Sequence, residues 1–308
     1  MYKRLALLFF LASFLVGCTN PTLSPTVLIP ENGLIVLGVI AGSDVDDADS
    51  IQPLADVLAS QLGDYGITSG QVRVAGSTEE MAAWLKSGEV DLYFDSLYPA
   101  LLVSEQSGAR LILRGWQFGR PDIQAVIFAS QSSGLTSLDD LVGKMVAMRT
   151  PDSTAGFFLP SVHLVERGLV LTGKTSFFDP VSPSEIGFVF SGSDQETLRA
   201  VLSGSAAAGV VDDYHFDIVF LPETTQQLVE LARTEKIPRQ LVLARPGLDA
   251  QVLSALTQTL TRLHTTEAGK AALDLFKTSQ FENALSEGDV ATRRLSEMLS
   301  TVKKIPLP

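Results

Sequence analysis

Apolar residues in this chain fall into short continuous runs separated by stretches of helical spacing. Gly33–Ile40 (GLIVLGVI) is apolar throughout and rich in branched side chains, which fits a strand buried on both faces. Ile51, Leu54, Val57, Leu58 and Leu62 then recur at helical intervals across residues 50–62. Gln71–Ala75 predicts a short strand. A helix opens at Ser77-Thr78-Glu79-Glu80, where Ser77 and Glu80 are placed as a capping box, and runs through Lys86. Asp91–Phe94 reads as the next strand and Leu97–Glu105 as the next helix. This alternation implies a mostly parallel sheet with helices on its faces.

Two apolar strands, residues 110–116 and 123–129, follow without a helix between them, and a fresh cycle begins. A short helix at 138–141, a strand at 144–148 and a capped helix over 154–168 are predicted. Residues 185–190, 194–203 and 207–211 repeat strand, helix, strand. Residues 228–232 and 240–244 resemble strands, and three helices near 249–264, 266–277 and 288–302 close the chain. The pattern predicts an α/β protein of two lobes. The first comprises residues 33–120 and 233–308, the second 121–232, with crossovers near 119–124 and 225–240.

The N-terminal residues change the picture of where this protein works. Lys3 and Arg4 precede an apolar run from Leu5 to Val16, a secretory pattern too short for a comfortable membrane span. Leu15-Val16-Gly17-Cys18 resembles the lipobox of bacterial lipoproteins, and Cys18 is the only cysteine in the chain. That resemblance implies a signal peptide at 1–17 and a lipid on Cys18. Residues 18–32, with three prolines, then form a tether. The expected location is the extracytoplasmic face of a membrane.

Composition narrows the chemistry. The formal net charge is −12, and beyond Lys3-Arg4 there is no long basic block, so nucleic acid is not an expected partner. Three histidines and one modified cysteine argue against a zinc site, and no cofactor is expected. No nucleophile elbow, metalloprotease helix or phosphate loop occurs, so no enzymatic activity is expected. Trp84 and Trp116 read as core residues.

Four segments sit where strands give way to helices, the usual place for ligands in open α/β sheets. Pro151-Asp152-Ser153-Thr154-Ala155-Gly156 offers a helix start with free N–H groups, hydroxyls and the positive end of a dipole. Ser153 or Thr154 caps that helix, and Gly156 permits close approach of a ligand or a backbone. Phe190-Ser191-Gly192-Ser193-Asp194-Gln195 is a second polar turn, with Asp194 placed as a cap or a ligand contact. Asp212-Asp213-Tyr214-His215 follows a small-residue strand. One of its two carboxylates is expected to meet a ligand and the other to be solvated. Tyr93-Phe94-Asp95-Ser96 ends another strand, where Asp95 or Ser96 serves equally as a cap.

Taken in order, these segments resemble the phosphate/phosphite/phosphonate-binding proteins of bacterial ABC transporters. Gln52–Leu58 with Leu62-Gly63 is similar to the family's first helix, and Gly88–Phe94 resembles its GEVDLAWF strand. Asp152–Gly156 with Leu159-Pro160 is similar to the signature D-x-x-S-T-S-G-x-x-x-P. Phe190–Asp194 resembles a G-S-H-D-like turn. Leu202–Val211 with Asp212 resembles ANGEVDAAAVD, and Ile237-Pro238-Arg239 the return crossover. The resemblance spans roughly residues 33–280.

The resemblance implies a two-lobed type-two periplasmic binding protein fold, mostly parallel sheets with flanking helices, that closes on a small oxyanion. It implies a ligand-binding set of Ser153, Thr154, Ala155, Tyr93, Ser96, Asp194, Asp212 and Tyr214. Ala155 stands in place of a second serine, so its N–H survives and one hydroxyl is gone. Asp194 stands where many members have histidine, and Asp95-Ser96 replaces a Gly-Pro. A carboxylate at 194 repels an anion unless a cation stands beside it. The expected function is that of a monomeric, lipid-anchored solute receptor delivering its ligand to an ABC permease. The alternatives are the ligand-binding module of a membrane signalling system and a divergent binder of a non-phosphorus ligand.

Overall fold

The computed structural model describes residues 33–42, 48–284 and 290–308. The predicted signal peptide, Cys18 and the tether at 18–32 lie outside the described residues. Among the described residues no helix is long and apolar enough to cross a membrane.

The first apolar run forms β1 (Leu34–Ile40), buried along nearly its whole length. Helix α1 (Ala48–Gln61) carries the chain to β2 (Ser69–Ala75), which pairs with β1 in parallel. Helix α2 (Thr78–Ser87) starts at the predicted box. Ser77 Oγ accepts the Glu80 N–H, while the Glu80 carboxylate reaches one residue further back, to the Gly76 N–H. Strand β3 (Leu92–Asp95) joins the other edge of β1 in parallel, and α3 (Leu97–Ser107) leads to β4 (Arg110–Gln117). Gly38 on β1 lets α2 and the loop after it pack close, because a Cβ there would meet the Met81 thioether and Val90 at 2.7–2.8 Å.

The chain leaves through β5 (Asp122–Ile123) into β6 (Ala125–Ser130) and β7 (Met145–Met148). Helix α4 (Leu159–Val165), β8 (Leu171–Gly173), β9 (Ile186–Phe190), α5 (Asp194–Leu202) and β10 (Ala208–Asp212) complete the second cycle. After α6 (Pro222–Thr225) and β11 (Leu228–Arg233), β12 (Ile237–Pro238) pairs antiparallel with β5. This two-stranded ribbon carries both crossovers. Strand β13 (Gln240–Ala244), α7 (Ala250–Arg262), α8 (Glu267–Leu275), β14 (Thr278–Asn283) and α9 (Val290–Val302) follow.

The result is two six-stranded sheets, ordered β14-β4-β13-β3-β1-β2 and β11-β6-β10-β7-β9-β8. In the first, β13 and β14 oppose the other strands; in the second, β6 alone does. The strands run mostly one way, and the reversed ones include β6 and β13, by which the chain enters the second sheet and re-enters the first.

The structure revises several sequence expectations. Residues 154–168 are not one α-helix: a π-helical turn at Thr154–Phe158 precedes α4. The cause is Pro160, which has no N–H to offer the Gly156 carbonyl. That carbonyl instead accepts the Arg149 N–H at 3.1 Å. Strands β8 and β14 were not predicted. Strand β14 has Phe281 as its one large apolar residue, so it carries no alternation to read. Trp84 is half-buried rather than core, with the Arg73 guanidinium 4.0 Å over its ring.

The last helix behaves differently from the two before it. Val252, Leu256, Leu260 and Leu273 of α7 and α8 pack into the core of the first sheet. Helix α9 instead packs against α4, Arg294 pairs with Glu166 at 2.5 Å, and the Pro306 carbonyl accepts the Gly173 N–H of β8. Leu295, Met298 and Val302 form one apolar stripe, and a stripe does not specify which core receives it.

Candidate functional site

The two sheets face each other across a cleft of about 70 Å³, lined from both sides by strand ends. By the measure that one water needs roughly 10–15 Å³, this holds a small polyatomic group rather than a large one.

Its floor on the second sheet is the segment after β7. Ser153 is the cap: its Oγ accepts the Gly156 N–H at 2.9 Å, and its carbonyl accepts from both Phe157 and Phe158. Thr154 and Ala155 head the turn, where N–H groups have no intrahelical acceptor. Thr154 is buried, and its hydroxyl is committed across the cleft. It accepts the Tyr98 N–H and donates to Ser96 Oγ, each at 2.9 Å. The Tyr98 ring stacks on Phe158 with centroids 4.6 Å apart, closing the same contact.

Of the expected ligand set, Ser96, Ser153, Thr154, Ala155, Asp194 and Asp212 line this cleft together. Tyr93 and Tyr214 do not. Tyr93 is fully buried and donates to Asp95 Oδ2 at 2.6 Å; burial first, and then the Asp95 charge, push its hydroxyl well above the usual range. Tyr214 stacks on Phe118 of the outgoing crossover at 4.7 Å. Tyr93 lies on the same face of β3 as Asp95 and one step deeper, with its hydroxyl bonded to the carboxylate that lines the cleft, while Tyr214 is held by its stack on Phe118.

Gly156 is needed by the protein rather than by a ligand: a Cβ there would lie 2.4 Å from Arg149 Cβ. The cap of α5 is Ser193, whose Oγ accepts the Glu196 N–H, not Asp194. Ser193 has the extended backbone a cap requires, which leaves Asp194 as the first helical residue, turned into the cleft. Asp213 is not solvated. It is buried under the crossovers and bonded by Arg239 at 2.6 Å and Arg120 at 3.0 Å.

Sequence reasoning passed over Arg149, Gln117 and Gln240 and left Asp152 out of the ligand set, and all four line the cleft. Arg149 directly follows the fully buried strand β7, and a charge at such a strand end is a readable signal. Its Nε lies 3.7 Å from Asp194 Oδ2, so the carboxylate at 194 has a cation beside it.

His215 joins the same cluster from the π-helical turn at His215–Val219. Its Nδ1 is 2.6 Å from Asp212 Oδ2 and its Nε2 3.6 Å from Asp194 Oδ2. Burial pushes the Asp212 carboxyl up, but the His215 hydrogen bond and charge, with Arg239, outweigh it and hold the carboxyl below its ordinary value. Asp194, Asp212 and His215 bring ligand-type atoms within 4.8 Å of one another. The arrangement does not suit a metal: Asp212 and His215 are bonded to each other, and a guanidinium already neutralises Asp194.

Residues 37–287 match a family model described as "ABC transporter, phosphonate, periplasmic substrate-binding protein". The phosphate-import protein PhnD of Mycolicibacterium smegmatis is 27% identical over 256 residues, covering 80% of this chain and 76% of that protein. Among solved structures, XAC2383 from Xanthomonas citri, seen with chloride and with ATP, superposes with a TM-score of 0.80 at 25% identity, covering 88% of this chain and 98% of that one. PhnD1 from Prochlorococcus marinus in complex with methylphosphonate superposes with a TM-score of 0.63 at 16% identity, covering 88% and 99%. The two-sheet fold, the cleft between strand ends and the matched span agree: this chain belongs to the family of periplasmic substrate-binding proteins of phosphonate ABC transporters.

Proposed function

We propose that this protein is a lipid-anchored receptor, held by Cys18, that closes two lobes on a small phosphonate- or phosphate-like oxyanion and presents it to an ABC permease. Members of the family bind and hand on a solute and carry out no covalent chemistry. The observation that carries the reading is the Ser153-capped turn, whose leading N–H groups and neighbour Arg149 face the cleft. The turn supplies oriented donors without a hydroxyl at 155, and Ser153 keeps a hydroxyl hydrogen for a ligand oxygen. Residues 33–120 and 233–308 make one lobe and 121–232 the other, with α9 lying against α4 of the second and Lys303 after it paired with Glu105 of the first. Binding energy from contacts on both lobes selects the closed form.

A second reading has its own support. Asp95, Asp152, Asp194 and Asp212 line the cleft against the single guanidinium of Arg149 among the described residues. An oxyanion that also carries an ammonium group, or a less anionic ligand, complements that balance better than a bare dianion. Native mass spectrometry of the protein purified without denaturation separates the two. A retained phosphate or simple alkylphosphonate supports the first reading and an amine-bearing ligand the second. A protein that arrives empty and takes up none of these on titration overturns both.

A further inference from the structure

Resting on the reading of the cleft as an anion site, we propose that His215 is the specificity-determining residue that admits an anion to a carboxylate-lined cleft, and that it does so as an imidazolium.

The ring stands behind the lining, between two carboxylates on different elements. Asp212, at the end of β10, accepts from Nδ1 at 2.6 Å through Oδ2. Its other oxygen is taken by the N–H groups of Tyr214 at 2.7 Å and His215 at 3.0 Å. Asp194, at the head of α5, faces Nε2 at 3.6 Å. A neutral imidazole donates from one nitrogen only, so its other nitrogen would turn a lone pair toward a carboxylate. The imidazolium directs an N–H at each.

The surrounding charges make this ring the one that sets the balance. Arg149 lies 3.7 Å from Asp194. Arg239 reaches within 3.9 Å of Asp212, but its hydrogen bond goes to Asp213, which Arg120 also holds. Asp217 on the same turn is engaged by Arg233 at 2.7 Å. With an imidazolium, Asp194, Asp212, Arg149 and His215 cancel, and the carboxylates of Asp95 and Asp152 remain in the lining. With a neutral ring the four carry one net negative charge facing the ligand. Losing one charge at a few ångströms in a half-buried cleft is worth a large change in anion affinity. By linkage, binding an anion must also favour the protonated ring.

The test is isothermal titration of the purified chain with methylphosphonate and with inorganic phosphate, at about pH 6 and about pH 8.5, comparing His215→Asn with the parent. The ratio of the two affinities cancels each probe's own titration. The expected ratio is about tenfold or more in favour of the parent near pH 6, falling to within about twofold near pH 8.5. The same ratio at both pH values overturns the proposal. Binding of neither probe overturns the anion reading of the cleft instead, and the ring is then judged by nitrogen NMR of the unmodified protein. The chain has three histidines, so the variant assigns the signal. Both ring nitrogens protonated near neutral pH support the imidazolium, and a neutral ring there overturns it.

Discussion

Thr154 Oγ1 lies 2.9 Å from Ser96 Oγ and accepts the Tyr98 N–H at the same distance, so one hydroxyl ties the second sheet's loop to the first sheet's α3. The residue expected to hold a ligand also holds the two sides of the cleft together. Thr154→Val keeps the shape, removes the oxygen and strands a buried N–H, at a cost of roughly 1–3 kcal/mol to closure. Solution scattering is expected to show a more open particle. An unchanged profile would show that the Tyr98–Phe158 stack alone suffices.

Arg239 is 1% exposed and ties the return crossover to two other segments: its N–H bonds the Pro121 carbonyl, Nε the Asp122 carbonyl and Nη2 the Asp213 carboxylate. Arg239→Met leaves Asp213 buried with Arg120 as its remaining partner. Breaking such a pair costs roughly 3–5 kcal/mol, less whatever Arg120 recovers. Urea denaturation checks this, and a loss under about 1 kcal/mol would contradict a pinning role for the crossover arginine.

Gly156→Ala tests whether Arg149 is positioned by its contact with this turn. The new Cβ would meet Arg149 Cβ at 2.4 Å and Ser153 Oγ at 2.7 Å, so one of them must move. Overpacking of this kind costs roughly 1–3 kcal/mol. Methylphosphonate affinity is expected to fall further than stability does, because the displaced groups both face the cleft. Equal affinity in the variant would remove Arg149 and Ser153 from the site.

Glu185 bridges the edge of the second sheet, accepting from Lys174 at 2.8 Å and Thr172 at 2.7 Å. The Lys174 hydrogen bond first, then those of Thr172 and the Ser182 N–H, lower its carboxyl to about 2. A carboxyl lowered on folding adds stability that is complete above its ordinary value and is lost as pH falls toward about 2. Acid unfolding followed by circular dichroism is expected to be shallower in Glu185→Gln over that window. Coincident curves would show that the contact adds nothing in solution.

Cys18→Ser tests the anchor separately from the cleft. The variant is expected to leave the membrane fraction while its soluble body keeps methylphosphonate binding, since two or three acyl chains account for stable anchoring. Labelled fatty acid is expected on the parent and absent from the variant, and an unlabelled parent would rule out lipid on Cys18 as the anchor.

The strands and helices that position the site were legible because each buries a face, and burial writes its period into the sequence. β1 and β7 are continuous apolar runs, and the caps at Ser77 and Ser153 stand one step before their helices. Elements that bury little, such as β14, left no such trace. The site was half legible. Ser153, Thr154, Asp194 and Asp212 lie in turns that announce themselves, whereas His215 and Arg149 matter through neighbours distant in sequence.

By itself the sequence determined the alternation of strands and helices, the polar turns at strand ends and the family resemblance, because these depend on residues within a few positions of one another. Only the tertiary structure decided which charges meet. Asp194 meets Arg149 from β7's end and His215 from the turn after β10, and Asp213 is buried because both crossovers close over it. Pro160 decided another such contact at a distance: lacking an N–H, it frees the Gly156 carbonyl to hold Arg149 at the cleft. Electrostatic partners are chosen by distance in space, and that distance exists once the two sheets face each other.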